Sequence, residues 1–325
     1  YYDAGNEAYG FRWNLESGEI DLLNPSSPSQ AYSVSNDGVV VGLYTDNSYK
    51  KNGASTQLAG YWQNNRWNRL EMPSDAVSSS GASGISPDGH YITGNVYVGG
   101  KYLGYVWKDG KIYHQLKENK GIAIPYAISP DGEYTTGWVM NKNRQACLWG
   151  PDGNFTTLSD QQSPFCVGKK FSPDGKQIAI MGSPECLGGV GKNVPEGSVP
   201  NMYDYQLYTL DIATGQVKAL TRDFNPSVNT YEWSRADGNI WFTAYDRDYC
   251  HLYRCDPATG SIAQAREPED MVNQIAVADK SRTLLWQGQG ASNSDRLYSL
   301  DTATGKSTLL EDLNADKMKD VRLGS

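Results

Sequence analysis

The chain has 325 residues, five cysteines, three histidines and a net charge of −8, with no basic run. That balance excludes a nucleic-acid binder, which needs a Lys/Arg stripe, and no apolar stretch approaches the roughly 18 residues of a membrane span. With 34 Gly, 22 Tyr and 9 Trp, the composition suits many short strands joined by tight turns, and no window holds a long helical period.

In chain order, Tyr1-Tyr2 reads as part of a strand, and Tyr9 to Trp13 as the next one. A chain that starts at Tyr1 without Met reads as a mature, trimmed or recombinant form. At Trp13 an apolar stretch ends, a polar turn follows and a short strand begins. The same step recurs at Trp62, Trp107 and Trp149, then at Asp211, Asp256 and Asp301. Five of the six spacings lie between 42 and 49 residues and the sixth is 62, so one repeat carries an insertion. Several short strands repeating at this length mark a β-propeller, with one four-stranded blade per repeat.

A second periodic signal lies between these steps. Ser35-Asn36-Asp37-Gly38, Ser86-Pro87-Asp88-Gly89, Ser129-Pro130-Asp131-Gly132 and Ser172-Pro173-Asp174-Gly175 are turns, with degraded copies at Ser234 to Gly238 and Ala278 to Ser281. Pro presets φ, Asp caps its own backbone and Gly takes the positive φ. Each repeat therefore reads strand A, Ser-Asp-Gly turn, strand B, loop, strand C, Trp or Asp turn, strand D. The expected blades are approximately 1–24 with 319–325, 31–71, 82–117, 124–159, 166–221, 229–265 and 272–311, all in one domain. There are seven C–D turns but six A–B turns, so Lys319 to Ser325 is the expected donor of the missing strand A. Closing the ring with both termini would remove exposed sheet edges. The predicted class is all-β, a seven-bladed propeller, with a six-bladed ring and an unpaired hairpin as the alternative.

The cysteines are too few for a dense disulfide scaffold. Cys166 precedes strand A of the inserted blade and Cys186 lies in its B–C insertion. Both loops emerge on one face, so a Cys166–Cys186 disulfide is expected, the alternative being two separate buried thiols. Cys147, Cys250 and Cys255 fall on C strands and read as packed hydrophobes. A disulfide would imply an oxidising compartment.

The repeats come in two flavours. In the first half, Gly104-Tyr105-Val106-Trp107 and the shorter Gly60-Tyr61-Trp62 accompany the Ile-Ser-Pro-Asp-Gly turns. These resemble the extracellular repeat named for a His-Ala-Phe motif, although that tripeptide is absent. In the second half, Phe171 to Ala179, Leu207 to Gly215, Leu252 to Asp256 and Leu297 to Asp301 resemble the propeller repeats of TolB and of prolyl oligopeptidase and dipeptidyl peptidase N-terminal domains. The resemblance implies a fold; propellers of this type bind, scaffold, gate or catalyse.

Chemical motifs are sparse. No Gly-x-Ser-x-Gly elbow occurs, and about a dozen residues follow the last blade, against the roughly 250 of a hydrolase domain. His90, His114 and His251 fall on different blades and levels, so no shared metal site is expected. Asp246, Asp248 and Asp256 read as a solvated turn rather than a calcium site. Gly188 to Lys192 lacks the phosphate-loop pattern. No cofactor is expected.

The stronger site argument is geometric. D–A and B–C loops build one rim, and the longest B–C loop runs from Gly182 to Tyr205 with Glu185, Lys192, Glu196, Tyr203 and Tyr205. A second, Thr45 to Gln57, offers Tyr49, Lys50 and Lys51, and the D–A loop Arg222-Asp223-Phe224-Asn225 should project onto the same face. Tyr and Phe beside Arg and Asp suit a carbohydrate or peptide; packing of the loops alone is the alternative. On the inner strands, two residues before each turn, Ser33, Gly84, Ala127 and Ala276 are small while Lys170 and Glu232 are charged. An inter-blade ion pair explains them, or a polar wall for a channel ligand. The expected function is a secreted or periplasmic, monomeric, non-catalytic propeller that binds a glycan, peptide or protein. The alternatives are the substrate-gating propeller of a serine peptidase, or a polysaccharide lyase using Tyr and Arg.

Overall fold

The Ser-Pro-Asp-Gly segments fold as turns for the expected reasons. Ser86 Oγ donates to Asp88 Oδ1 at 2.5 Å and accepts the Tyr91 N–H at 2.9 Å, while Gly89 takes a φ of +81°. Ser129 with Asp131, and Ser172 with Asp174, repeat the arrangement. The C–D turns of the later repeats are built on Asp: Asp211 Oδ1 accepts the Thr214 N–H at 2.8 Å, and Asp256 and Asp301 do the same for Ala258 and Ala303.

The computed structural model describes residues 7–14, 16–159, 165–187 and 201–321. The protein is nearly all-β. β1 (Phe11–Trp13) and β2 (Ile20–Leu22) form a two-stranded sheet. Antiparallel meanders follow: β3 (Ser29–Val34), β4 (Val40–Lys51), β5 (Ala54–Gln63) and β6 (Arg66–Arg69); β7 (Ser79–Ile85), β8 (Tyr91–Val98), β9 (Lys101–Lys108) and β10 (Lys111–Leu116); β11 (Ala123–Ile128), β12 (Thr135–Met140), β13 (Arg144–Trp149) and β14 (Phe155–Thr157); β15 (Cys166–Phe171), β16 (Gln177–Gly182), β17 (Gln206–Asp211) and β18 (Val217–Ala219). Two further meanders are β19 (Ser227–Trp233), β20 (Ile240–Asp246), β21 (Tyr249–Cys255) and β22 (Ile262–Gln264), then β23 (Met271–Val277), β24 (Thr283–Gly290), β25 (Asn293–Asp301) and β26 (Lys306–Asp312). A parallel bridge between Cys250 and Met271 joins these two into one eight-stranded sheet.

The chain divides into two compact units, Tyr1–Gln162 with Val167–Lys169 and Ser163–Cys166 with Lys170–Ser325. The division falls where the repeat flavour changes. In the first unit, strand A bulges three residues before the turn serine, at Tyr32, Ser83 and Tyr126. In the second, β19 and β23 bulge five residues before the first turn residue, at Asn229 and Asn273. Opposite each first-unit bulge stands a strand-B glycine, Gly42, Gly94 or Gly137, where a Cβ would collide with the carbonyl oxygen of Gln30, Gly81 or Ile124. The bulge pushes that carbonyl toward strand B, and only glycine leaves room for it.

Within the first unit, successive sheets are latched by indoles. Trp107 and Trp149 are fully buried, and their Nε1 atoms donate to Glu71 O at 2.8 Å and Lys117 O at 2.9 Å, just past strand D of the preceding sheet. Burying such a ring removes roughly 200 Å² from water, on the order of 5 kcal/mol of transfer free energy before conformational entropy is counted. In the second unit the core gathers Phe242, Tyr253, Tyr231 and Trp233.

One expectation changes at the level of elements. Thr45 to Gln57 is a hairpin arm rather than a loop: β4 and β5 stay paired out to Lys51 and Ala54, closed by Asn52 and Gly53, both at positive φ. Near the C-terminus, Ala315–Met318 forms a short helix, α1, and residues 319–321 lie in no strand. The remainder of the expected closing strand, like Tyr1-Tyr2, lies outside the described residues.

Candidate functional site

Lys170 and Glu232 meet. Lys170 Nζ lies 2.7 Å from Glu232 Oε2, with side chains 39% and 22% exposed. The pair joins β15 to β19, where the equivalent positions of the other repeats carry small residues. Partial exposure limits such a pair to about 1 kcal/mol.

The second-unit loop residues separate into exposed and packed. Tyr203 is 79% exposed. Its backbone is held on both sides, by Asn201 Oδ1 accepting its N–H at 3.1 Å and by Ser227 Oγ donating to its carbonyl at 3.2 Å. Ser227 begins β19, so the end of the B–C loop is hydrogen-bonded to the D–A connection. Glu185 and Arg222 are exposed. Tyr205 and Phe224 turn inward instead. Tyr205 packs on Phe165 at 4.9 Å, and Phe224 sits edge-on to Phe242 and Tyr253 at 5.6 and 4.9 Å. An apolar ring beside an aromatic core gains more from burial than from projection. Lys192 and Glu196 lie outside the described residues.

In the first unit, Lys50 is exposed on the hairpin arm, and Tyr49 leads into a cleft of 890 Å³ along β6. The cleft was not legible as a site from sequence. On one face of the sheet Tyr44 lies flat on Trp67, with centroids 5.3 Å apart and planes 7° apart. Gly60 makes this possible, since a Cβ there would strike the Tyr44 ring. Tyr44 Oη donates to Asp46 Oδ2 at 3.0 Å, Arg69 Nη1 lies 3.2 Å from the same oxygen, and Ser48 donates to Oδ1 through both N–H and Oγ. Burial opposes ionisation of Asp46, but these donors overcome it and hold its carboxyl below the usual value. Burial and the Asp46 charge together push the Tyr44 phenol far up. Tyr49 Oη donates to Ser74 O at 3.0 Å, and the Arg69 guanidinium sits over the Tyr49 ring at 5.4 Å.

The histidines act separately. His90 pairs with Asp109 at 2.7 Å on the surface, burial lowers the pKa of His114, and His251 Nδ1 meets the buried Glu267 Oε1 at 2.7 Å. Among the described residues no group of three or more His, Cys, Asp or Glu could hold a metal ion. All five cysteines are buried thiols. Cys166 and Cys186 both act on Tyr208, whose phenol is raised first by burial, then by Cys186 and Cys166. No helix among the described residues is long and apolar enough to cross a membrane.

The chain matches no protein-family model and no curated protein. Its fold is shared with several solved structures. Putative TolB from Agrobacterium tumefaciens is 16% identical with a TM-score of 0.52, over 84% of this chain and 88% of that one. TolB from Acinetobacter baumannii is 16% identical with a TM-score of 0.51, over 91% and 74%. Acylaminoacyl peptidase from Pyrococcus horikoshii is 15% identical with a TM-score of 0.64, over 96% of this chain and 49% of that one. The chain thus spans about half the length of the peptidase. At such identity the likeness is one of fold, the β-propeller of TolB and of prolyl-oligopeptidase-type peptidases.

Proposed function

We propose that the chain is a secreted or periplasmic, monomeric ligand-binding propeller without catalytic chemistry or a cofactor of its own. It has seven blades, with a ring closed by strands from both termini. It binds a glycan, peptide or protein on the face built by the B–C and D–A loops. The observation that carries this reading is Tyr203: a large aromatic ring in solvent, on a backbone hydrogen-bonded from both sides, is preorganised for contact. Arg222 and Glu185 supply charges in the same unit, and Tyr49 and Lys50 present a second aromatic and cationic pair in the first unit. Lys170 and Glu232 support the inner strands. In the exported protein Cys166 and Cys186 close a disulfide.

The test is binding to glycan and peptide arrays by the native chain and by Tyr203→Ala and Arg222→Ala. The expected result is a ligand whose binding falls about tenfold in either variant, with an unchanged melting temperature, as for truncation of an exposed anchor. Ligands bound equally by all three proteins would retire the loop face as the site.

A second reading is favoured by the coverage of this chain and the acylaminoacyl peptidase, 96% against 49%. It makes the propeller the substrate gate of a serine peptidase. The intact mass of the natural gene product decides between them: an excess of roughly 250 residues fits a hydrolase domain, and a mass near this chain plus an export signal fits a free-standing binder. A polysaccharide lyase would need Tyr with Arg or His converging near the channel. The described histidines are instead taken up by separate partners or burial.

A further inference from the structure

The cleft along β6 has a chemistry of its own. Its wall contains the aromatic pair Tyr44 and Trp67, and its polar groups divide sharply by engagement. The acceptors are mostly occupied: Asp46 by Ser48, Tyr44 and Arg69; Glu71 Oε2 by the Ile112 N–H at 2.8 Å; Asp109 by His90. The donors are not. Arg66 and Lys111 line the cleft and make no side-chain hydrogen bond or ion pair among the described residues. The Trp67 Nε1–H is buried and has no acceptor. A buried donor left unpaired costs roughly 1–3 kcal/mol, which a ligand oxygen that displaces the groups covering it would relieve.

Charge selects among ligands. Arg66, Arg69 and Lys111 face Asp46, Glu71, Asp75 and Asp109 across the same cleft. An anion or a cation would meet as much repulsion as attraction. A neutral polyhydroxyl ring meets neither, and each hydroxyl both donates and accepts, so it can serve Arg66, Lys111 and Trp67 while giving protons to Asp75. Its C–H face suits the indole plane. The volume of 890 Å³ lies within the range of small-ligand sites.

We propose that this cleft is a binding site for a neutral saccharide, with Trp67 as platform and donor and with Arg66 and Lys111 as hydroxyl ligands. It deepens the ligand-binding reading above and rests on it, but narrows the ligand to one class and the site to residues 44–111.

The experiment is saturation-transfer NMR on the full chain with cellotriose, maltotriose, mannotriose and xylotriose, and with a glucuronate trimer and an acidic peptide as competitors. At least one neutral trisaccharide should bind with Kd near or below about 1 mM, with saturation concentrated on the C–H protons of one ring face. Trp67→Phe keeps a ring but removes the N–H, and should weaken binding about tenfold, as should Arg66→Ala. Glu311→Ala, exposed on β26 of the second unit, should leave it unchanged. Loss of saccharide binding in Tyr203→Ala with none in Trp67→Phe would overturn the cleft and uphold the loop face. Preference for the glucuronate trimer or the acidic peptide would overturn its neutral specificity. Absence of any saccharide binding, beside an array ligand that depends on Tyr203, would sink this proposal alone.

Discussion

Asp46 is a carboxylate with almost no contact with solvent that stays ionised because three residues donate to it. Its folded pKa is lowered, so it binds fewer protons in the native state than in the unfolded one. The stability it contributes is therefore complete above the unfolded carboxylate value, near pH 4, and is lost as pH falls through its depressed pKa. Asp46→Asn should destabilise the protein at pH 7, and the gap to the native protein should narrow below pH 4 in denaturant titrations. A gap independent of pH would mean that packing, not charge, is what Asp46 supplies. At this scale the sequence was readable where a residue broke a periodic rule. Lys170 and Glu232 stood out because their equivalents are small, and they do pair. Trp67 and Arg69 broke no rule. Their meeting with Tyr44 and Asp46 depends on the register of β6, which is set by Asn64 and Asn65 at positive φ. Phe224 misled in the opposite direction, because loop position says nothing about an adjacent aromatic core.

At the scale of elements, the turns carried most of the information, since their chemistry is local. Asn-Gly is also a strong hairpin signal, but Asn52-Gly53 alone did not reveal the β4–β5 arm. Its flanks, rich in Ser, Thr, Asn and Lys, hid the strands because neither face of the arm's end is apolar. The strand-B glycines Gly42, Gly94 and Gly137 answer a bulge on the facing strand, which leaves no sequence mark of its own. Gly137→Ala tests that cause. The methyl must displace the Ile124 carbonyl, and overpacking of this kind should cost at least about 2 kcal/mol. Gly215→Ala, with open space around its Cβ and a φ of +69°, should cost only about 1 kcal/mol of backbone strain. Equal losses in chemical unfolding would remove the bulge from the explanation.

For the whole molecule, composition and repeat length were enough for the all-β propeller class, because a blade is specified by its own turns and by contact with its neighbours. Blade count and closure depend on chain ends whose residues carry no such turn. The compartment leaves a trace in the thiols. If the protein is exported with Cys166 and Cys186 joined, unfolding it without reductant should expose three thiols to Ellman's reagent, and reduction should raise the count to five. Five from the outset would retire the disulfide.

The strand-A bulge stands three residues before the turn in the first unit and five in the second. The difference of two equals the side-chain period of a strand. A step of one would have sent the residues beyond the bulge to the opposite face; a step of two, matched by two more paired residues on strand B, keeps them on the same face. Repeats of the two kinds are thus interchangeable parts. One can stand beside the other, and conversion takes about two residues on each arm of the A–B hairpin, since a change on one arm alone would leave the strands out of register.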